Sequence, residues 1–309
     1  MTAPMMIADG VWHQIFDFTD YSALLALVRN SLIAGAALGL IGGLTGVFVI
    51  MRDLPFAVHG ISELSFAGAS AALLLGVNVV AGSIVGSLIA ACTIGVLGTR
   101  ARDRNSAIGI LMPFGLGLGV LFLALYKGRA ANKFGLLTGQ IVAVDTPQMA
   151  WLLGTSALVL VALAVIWRPL SFISADPDVA EARGLPVRGL SLAFMLVLGL
   201  SVALSVQVVG ALLVLTLVVT PAAAAARVTA SPVLLPLLSV VFAVASMEGG
   251  ILLALGSSIP ISPYVTTISF LIYLGCRVAG SRRVRRWGAR AAEGRGEPVA
   301  AGVAGAGTA

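Results

Sequence analysis

Two side chains that could do chemistry lie four residues apart in an apolar stretch of this sequence. His59 and Glu63 belong to RDLPFAVHGISELSFAGASAALLL, residues 52–75. On a helix this spacing places both side chains on one face, with Ser62 and Ser70 near the same stripe. Imidazole and carboxylate groups both bind divalent metal ions. An ionisable group at membrane depth is costly and usually faces a cavity or the bundle interior, so the pair is a candidate functional site.

Two more residues in apolar stretches are candidates. Glu248 lies in AVASMEGGILLAL and is followed by Gly249 and Gly250, which allow another backbone or a ligand to come close. A buried Glu is either a group on a transport path or a hydrogen-bonding partner of a neighbouring helix. Pro221 lies within a second apolar run, where it frees one backbone carbonyl and could serve either as a hinge or as a shape feature.

The elements that position these residues follow from composition. With 59% hydrophobic and 10% charged residues and a mean hydropathy of +1.05, the chain is too apolar for a soluble domain of 309 residues. We therefore predict an all-α, polytopic transmembrane helical bundle. Punctuation by Gly, Pro and charge clusters divides the chain into about nine spans. These are predicted at 29–51, 59–77, 79–98, 107–126, 148–167, 189–206, 208–227, 233–256 and 263–280.

The positive charges predict the orientation. Of the 19 Lys and Arg residues, all but Arg29, Lys127, Arg129 and Lys133 fall on one side of such a bundle. The positive-inside rule makes that side cytoplasmic, with the N-terminus outside and the C-terminus in the cytoplasm. The sequence thus divides into three parts. They are an extracytoplasmic segment 1–28, a transmembrane domain 29–280, and a basic and then Gly/Ala-rich disordered cytoplasmic tail 281–309.

The most polar internal segment is the predicted cytoplasmic loop 168–190. Asp176 followed by Pro177 is typical of a helix start, Gly184 can end the helix in a left-handed cap, and Pro186 prevents its resumption. A two-turn helix on the cytoplasmic face could dock another protein, although a plain linker would show the same pattern.

The sequence contains no motor of its own. It has no G-x-x-x-x-G-K-[ST] motif, no H-E-x-x-H motif, and only two His residues. Energy for transport must therefore come from an ion gradient or from another chain. The basic residues flank apolar spans, which indicates topology rather than nucleic-acid binding.

Three stretches resemble one family. GLTGVFVIMRDLPFAVHGISELSFAGA (residues 43–69), DPDVAEARGLPVRGL (176–190) and VVGALLVLTLVVTPAAAAARV (208–228) are similar to segments of the membrane permeases of bacterial metal-ion ABC importers, which take up zinc, manganese or iron. The resemblance covers about residues 29–277. One departure concerns the position after Ser62, where many members carry His and this chain carries Glu63.

The resemblance implies a fold like that of the vitamin B12 and siderophore importers, in the inner (cytoplasmic) membrane of a bacterium. It also implies a homodimeric pore, cytoplasmic ABC ATPase subunits, an extracytoplasmic metal-binding protein, and a transported divalent metal in place of a permanently bound cofactor. His59, Glu63 and Glu248 would then be candidates for the translocation path, with His59 and Glu63 contacting the metal. The loop positions that would couple to the ATPase are Asp176, Asp178, Ala180, Glu181, Gly184 and Pro186.

Other functions stay open at this point. The cargo could be an organic iron chelate or cobalamin, although three ionisable residues in apolar spans favour a bare cation. An ion-coupled secondary transporter would be expected to show an inverted repeat, and none is evident. His59 and Glu63 could instead form a structural pair or face a hydrated vestibule.

Overall fold

The computed structural model describes residues 28–97, 101–128, 146–211, 213–255 and 261–293, and the regular elements in these ranges are all helices. In chain order they are α1 (Arg29–Met51), α2 (Pro55–Leu75), α3 (Val79–Leu97), α4 (Ala101–Leu125), α5 (Thr146–Ala175), α6 (Pro177–Ala182), α7 (Val187–Val209), α8 (Val214–Val228), α9 (Leu234–Leu255) and α10 (Ile261–Glu293).

Each of the nine predicted spans corresponds to one helix, which confirms the all-helical, polytopic architecture. Within the described residues, 8 helices are long and apolar enough to cross a membrane. The remaining one, α8, has only 15 residues. At 1.5 Å per residue it is about 22 Å long, shorter than the roughly 30 Å hydrocarbon core.

Several predicted boundaries differ from those of the helices, two of them for a clear physical reason. The helix α5 continues through Arg168 and Pro169 to Ala175, because a proline removes only one backbone hydrogen bond and packed helices tolerate that loss. The seventh span does not begin at Val208. Instead α7 runs through that position to Val209 and is followed by Gly210, whose φ of 87° only glycine adopts easily.

Three helices form the centre of the bundle. α1, α2 and α7 are mostly buried, whereas α3, α4, α5, α9 and α10 each expose an apolar face. The α1–α9 contact is close because of glycines on α1. A Cβ at Gly39 would lie 2.9 Å from the Cα of Val244, and one at Gly43 would lie 2.6 Å from the Cα of Val240. Small residues thus let helix backbones approach in the membrane.

Contacts between helix ends define a basic end of the bundle. Arg52, which follows α1, donates to the Ser191 Oγ of α7 at 2.5 Å, and Arg104 of α4 donates to the Asp53 carbonyl at 3.4 Å. The helix α6 packs between α5 and α7 at the same end. The structure therefore gathers at one end the charges that the sequence assigned to the cytoplasm.

The turn between α1 and α2 is tight. Asp53 has a φ of 53°, the one positive value outside glycine in the described chain. The Leu54 amide donates to the Val49 carbonyl at 2.9 Å, which closes the end of α1. This turn sets the direction in which α2, and with it His59, enters the bundle.

α10 extends through the basic stretch to Glu293. Residues 1–27 of the predicted extracytoplasmic segment, residues 129–145, which contain Arg129 and Lys133, and the Gly/Ala-rich part of the tail from residue 294 lie outside the described residues.

Candidate functional site

The candidate site lies on α2. Pro55 occupies the first turn of this helix, where its missing N–H costs nothing. The helix therefore begins four residues before the predicted span, and His59 and Glu63 both lie well inside it. His59 is one turn from the basic end, and Glu63 lies about 12 Å from it at 1.5 Å per residue.

His59 and Glu63 face each other without a hydrogen bond. The Nε2 atom of His59 lies 3.7 Å from the Oε1 atom of Glu63, and their side chains are 31% and 6% exposed. That distance is too long for a hydrogen bond. Two ligands held about 2.1 Å from one metal ion can lie up to about 4.2 Å apart, so a single cation could bridge these atoms.

The Glu63 carboxylate has spare acceptor capacity. Its Oε2 atom is buried and has no hydrogen-bond partner within the described part of the chain, and the same holds for the Ser70 Oγ atom two turns further along. An unpaired buried carboxylate oxygen is costly. A cation or an additional donor at this stripe would remove that cost.

The helix α4 covers Glu63. A Cβ at Gly115 would lie 2.6 Å from the Leu64 Cδ1 atom and 3.0 Å from the Glu63 carbonyl carbon, and one at Gly119 would collide with the Phe66 ring. The glycine spacing was visible in the sequence, but its partner was not. These glycines bring the α4 backbone against the turn that carries the carboxylate.

The opposite face of α2 is fixed by hydroxyl groups. Ser65 Oγ lies 2.7 Å from Ser83 Oγ of α3, and the Ser83 hydroxyl donates to the Ala203 carbonyl of α7 at 3.4 Å. These buried contacts connect three helices and fix the orientation of α2 about its own axis, so that Glu63 points away from α3.

Glu248 does not join the pair. It lies on α9, which packs against α1, α8 and α10, whereas α2 packs mainly against α3, α4 and α7. A Cβ at Gly35 of α1 would lie 3.0 Å from the Glu248 Oε1 atom, which is buried and unpartnered in the described residues. The structure thus places the carboxylates of Glu63 and Glu248 in two separate environments.

No single-chain metal centre is present in the described residues, because no three His, Cys, Asp or Glu side chains come together there. The pair supplies two donors, fewer than a closed metal site needs.

Pro221 lies in the middle of α8. It lacks the N–H that would bond to the Leu217 carbonyl, and a Cβ at Gly42 of α1 would lie 3.3 Å from that carbonyl oxygen. The α1 backbone therefore packs directly against the interrupted turn of α8.

The helix α6 forms as the sequence predicts. The Asp176 carboxylate accepts from the Val179 amide at 3.0 Å, and Gly184 has a φ of 79°. The Gly184 amide donates to the Glu181 carbonyl at 2.9 Å and the Leu185 amide to the Ala180 carbonyl at 3.1 Å. These two bonds are the Schellman arrangement that ends a helix.

Within α6, Ala180 is fully buried against the bundle, whereas Val179 is 43% exposed. Asp176, Asp178, Glu181, Gly184 and Pro186 are exposed as well. Ala180 therefore anchors the helix and cannot itself contact a partner. Sequence reasoning missed this distinction, because six residues are too few to show an amphipathic period.

Arg52 carries more contacts than its place at a predicted membrane boundary suggested. Its guanidinium lies 5.8 Å from the centre of the Phe194 ring. Burial, and then the charge of Arg104, lower the pKa of Arg52. The residue joins the α1–α2 turn to α7 at the basic end of the bundle.

The whole chain can now be compared with known proteins. The model of the ABC 3 transport family matches residues 25–279, which include every described helix up to most of α10. The chain belongs to this family. It is accordingly a multi-pass protein of the bacterial inner membrane.

Individual relatives agree with this assignment. The manganese transport system membrane protein MntC of Halalkalibacterium halodurans is 29% identical over 76% of this chain and 80% of the relative. The high-affinity zinc uptake system membrane protein ZnuB of Haemophilus influenzae is 25% identical over 81% of this chain and 97% of the relative. Among solved structures, PsaBC from Streptococcus pneumoniae in complex with Fab gives a TM-score of 0.73 at 26% identity, covering 81% of this chain and 90% of that one.

Proposed function

We propose that this chain is the membrane-spanning permease subunit of an ATP-binding-cassette importer and that it carries a divalent metal cation, either manganese, zinc or iron. The observation that carries the proposal is the Glu63 carboxylate, buried beside His59 with one oxygen unpartnered. Relatives named for manganese and zinc transport support the cargo. An organic chelate would need a wider and less acidic path.

The proposed path runs along the α2 stripe that carries His59 and Glu63. One chain supplies an imidazole and a carboxylate, and a homodimer would bring a second pair by two-fold symmetry. Such a set would hold a cation loosely enough to release it to the cytoplasm. Glu248 lies about 21 Å along α9 from the basic end, so it would meet the cation earlier, near the outer side.

The experiment is a metal panel in cells that express this permease together with its ATPase and binding protein. We expect saturable uptake of at least one of Mn²⁺, Zn²⁺ and Fe²⁺, normalised to the amount of permease in the membrane. Glu63→Asp keeps the charge and should retain part of that uptake, whereas Glu63→Gln should not.

Two outcomes would contradict the proposal. Accumulation of a chelate with no uptake of free cations would favour the wider-pore alternative. Uptake by this chain without ATPase and binding protein would favour an ion-coupled secondary transporter.

The energy would come from an ATPase that docks on α6. The exposed Val179 is the residue to change, since Ala180 is buried and a charged side chain there would disturb folding. Val179→Lys should weaken ATPase association and uptake while the melting temperature stays constant. The matched control is Ala230→Lys, at an exposed position of the same end but outside α6. Equal ATPase binding by both variants would remove α6 from the interface.

The extracytoplasmic binding protein would deliver the cation to the end opposite α6. The loops at that end would form its docking surface. Two stretches of these loops, residues 129–145 and 256–260, lie outside the described ranges.

A further inference from the structure

A lateral groove opens on the side of the bundle between α1, α5 and α9. Its volume is about 630 Å³, within the range of ligand-binding pockets. Leu40 and Leu44 of α1 form its floor, α5 forms one wall, and Leu237 and Val240 of α9 form the other. α5 and α9 both pack against α1, so the groove is the gap that remains between them.

The lining is apolar except at one end. On α5 the lining residues follow the spacing of a single helix face, ending at Ala164, Trp167 and Arg168. Ala164 is exposed, and Leu237 on the facing wall is 57% exposed. Because this surface lies within the membrane and is surrounded by lipid, a water-soluble protein cannot reach it.

Arg168 supplies the charge at the basic end of the groove. Its side chain is exposed and has no hydrogen-bond or ion-pair partner among the residues that the structure describes. Beside it, the Trp167 ring is fixed edge-to-face on Phe48, with ring centres 4.8 Å apart. Trp side chains are enriched at the membrane interface, and basic pockets between helices on the cytoplasmic side bind anionic headgroups.

The length of the groove matches one leaflet. From Leu160 to Arg168 the α5 wall rises about 12 Å at 1.5 Å per residue, close to half of the roughly 30 Å hydrocarbon core. A chain that enters at Arg168 would thus reach the middle of the bilayer.

We infer that this groove, which we call the α1/α5/α9 groove, binds an anionic glycerophospholipid of the cytoplasmic leaflet. One acyl chain lies along Leu40, Leu44 and Ala164, and the phosphate lies at Arg168. The site is separate from the α2 stripe, so the inference does not depend on the transported cargo.

The test uses the full-length protein in nanodiscs of equal phosphatidylglycerol and phosphatidylcholine, followed by native mass spectrometry after transfer to detergent. We expect one lipid per chain to be retained, with phosphatidylglycerol bound about fivefold more often than phosphatidylcholine. This ratio corresponds to the roughly 1 kcal/mol that one basic residue near an anionic surface contributes. Arg168→Gln should remove the preference between headgroups, and Ala164→Trp should remove retention of both lipids by filling the groove.

Matched controls separate these effects from general damage. Arg188→Gln removes an exposed charge at the same end, and Val161→Trp adds the same bulk on a 62% exposed position of α5 outside the groove. Both should retain lipid as the parent does, with unchanged melting temperatures in all four variants.

Three results would overturn the inference. They are equal retention of the two lipids by the parent protein, undiminished retention by Ala164→Trp, and cross-linking between two copies through Ala164→Cys in a Cys92→Ser, Cys276→Ser background. The last result would make the groove a contact between subunits.

Discussion

Two acidic residues of the described helices, Glu63 and Glu248, lie in contrasting surroundings. Glu63 is 4% exposed, shares its helix face with His59, and is covered by the backbone of α4. Glu248 is only half-buried, has no imidazole on its own helix, and packs against Gly35 of α1. The site at Glu63 thus has two metal-binding groups and is packed against backbone atoms, which cannot move aside. The site at Glu248 has one such group and is packed against side chains, which can change rotamer.

The contrast suggests a division of roles along the proposed path. Two metal-ligating groups, such as His59 and Glu63, can replace water molecules bound to a cation, while a single carboxylate mainly attracts the cation by its charge. We therefore expect substitutions at the α2 stripe to affect transport more strongly than equivalent substitutions on α9.

The largest expected effect comes from removing each carboxylate charge in turn. Glu63→Gln should lower uptake per molecule by at least about tenfold, since loss of even an outer-shell partner of a metal ligand costs about that much. Glu248→Gln should stay within about fivefold, as for a partly exposed charge. Uptake normalised to membrane protein measures both. A larger loss at Glu248 would reverse the comparison.

Next comes the imidazole. His59→Gln keeps a polar group but removes the metal-binding ring, and we expect a loss of uptake between those of Glu248→Gln and Glu63→Gln. If the pair is purely structural, uptake per molecule stays normal and the melting temperature in detergent falls instead, because a buried group without its partner costs about 1–3 kcal/mol.

The glycines that contact the two sites should differ in how well they tolerate substitution by alanine. Gly115→Ala would press on backbone atoms of Glu63 and Leu64, which cannot move aside, and should cost about 1–3 kcal/mol of stability. Gly35→Ala would press on the Ile251 and Glu248 side chains, which can rotate, so we expect a change of about 1 kcal/mol or less. Thermal unfolding in detergent distinguishes the two, and equal shifts would show that both sites are equally rigid.

The smallest effect should come from Ser65→Ala, which acts on the far side of α2. It removes a contact with Ser83 that is worth about 0.6 kcal/mol between membrane helices. Uptake per molecule should be unchanged, since the α2 stripe is untouched. A strong loss of uptake from this variant would mean that rotation of α2, rather than the donors themselves, limits transport.

Much of the architecture was predictable because membrane helices are long and apolar. The nine spans, the basic side and the helix α6 all follow from hydropathy, charge and capping residues. The errors came where a local rule competes with packing. Pro169 does not end α5, since the interior of a bundle tolerates the lost hydrogen bond. The break between α7 and α8 comes at Gly210, whereas the predicted spans placed it near residue 207.

The candidate site divides in the same way. The shared face of His59 and Glu63 could be predicted from the residues alone, since helical periodicity is local and needs no partner. The tertiary structure was needed to learn that α4 packs through Gly115 against the backbone of Glu63 and Leu64, that Glu248 lies apart on α9, and that Ala180 is buried while Val179 is exposed. These facts depend on which helices become neighbours and how each is rotated, and many distant contacts of small residues determine that together.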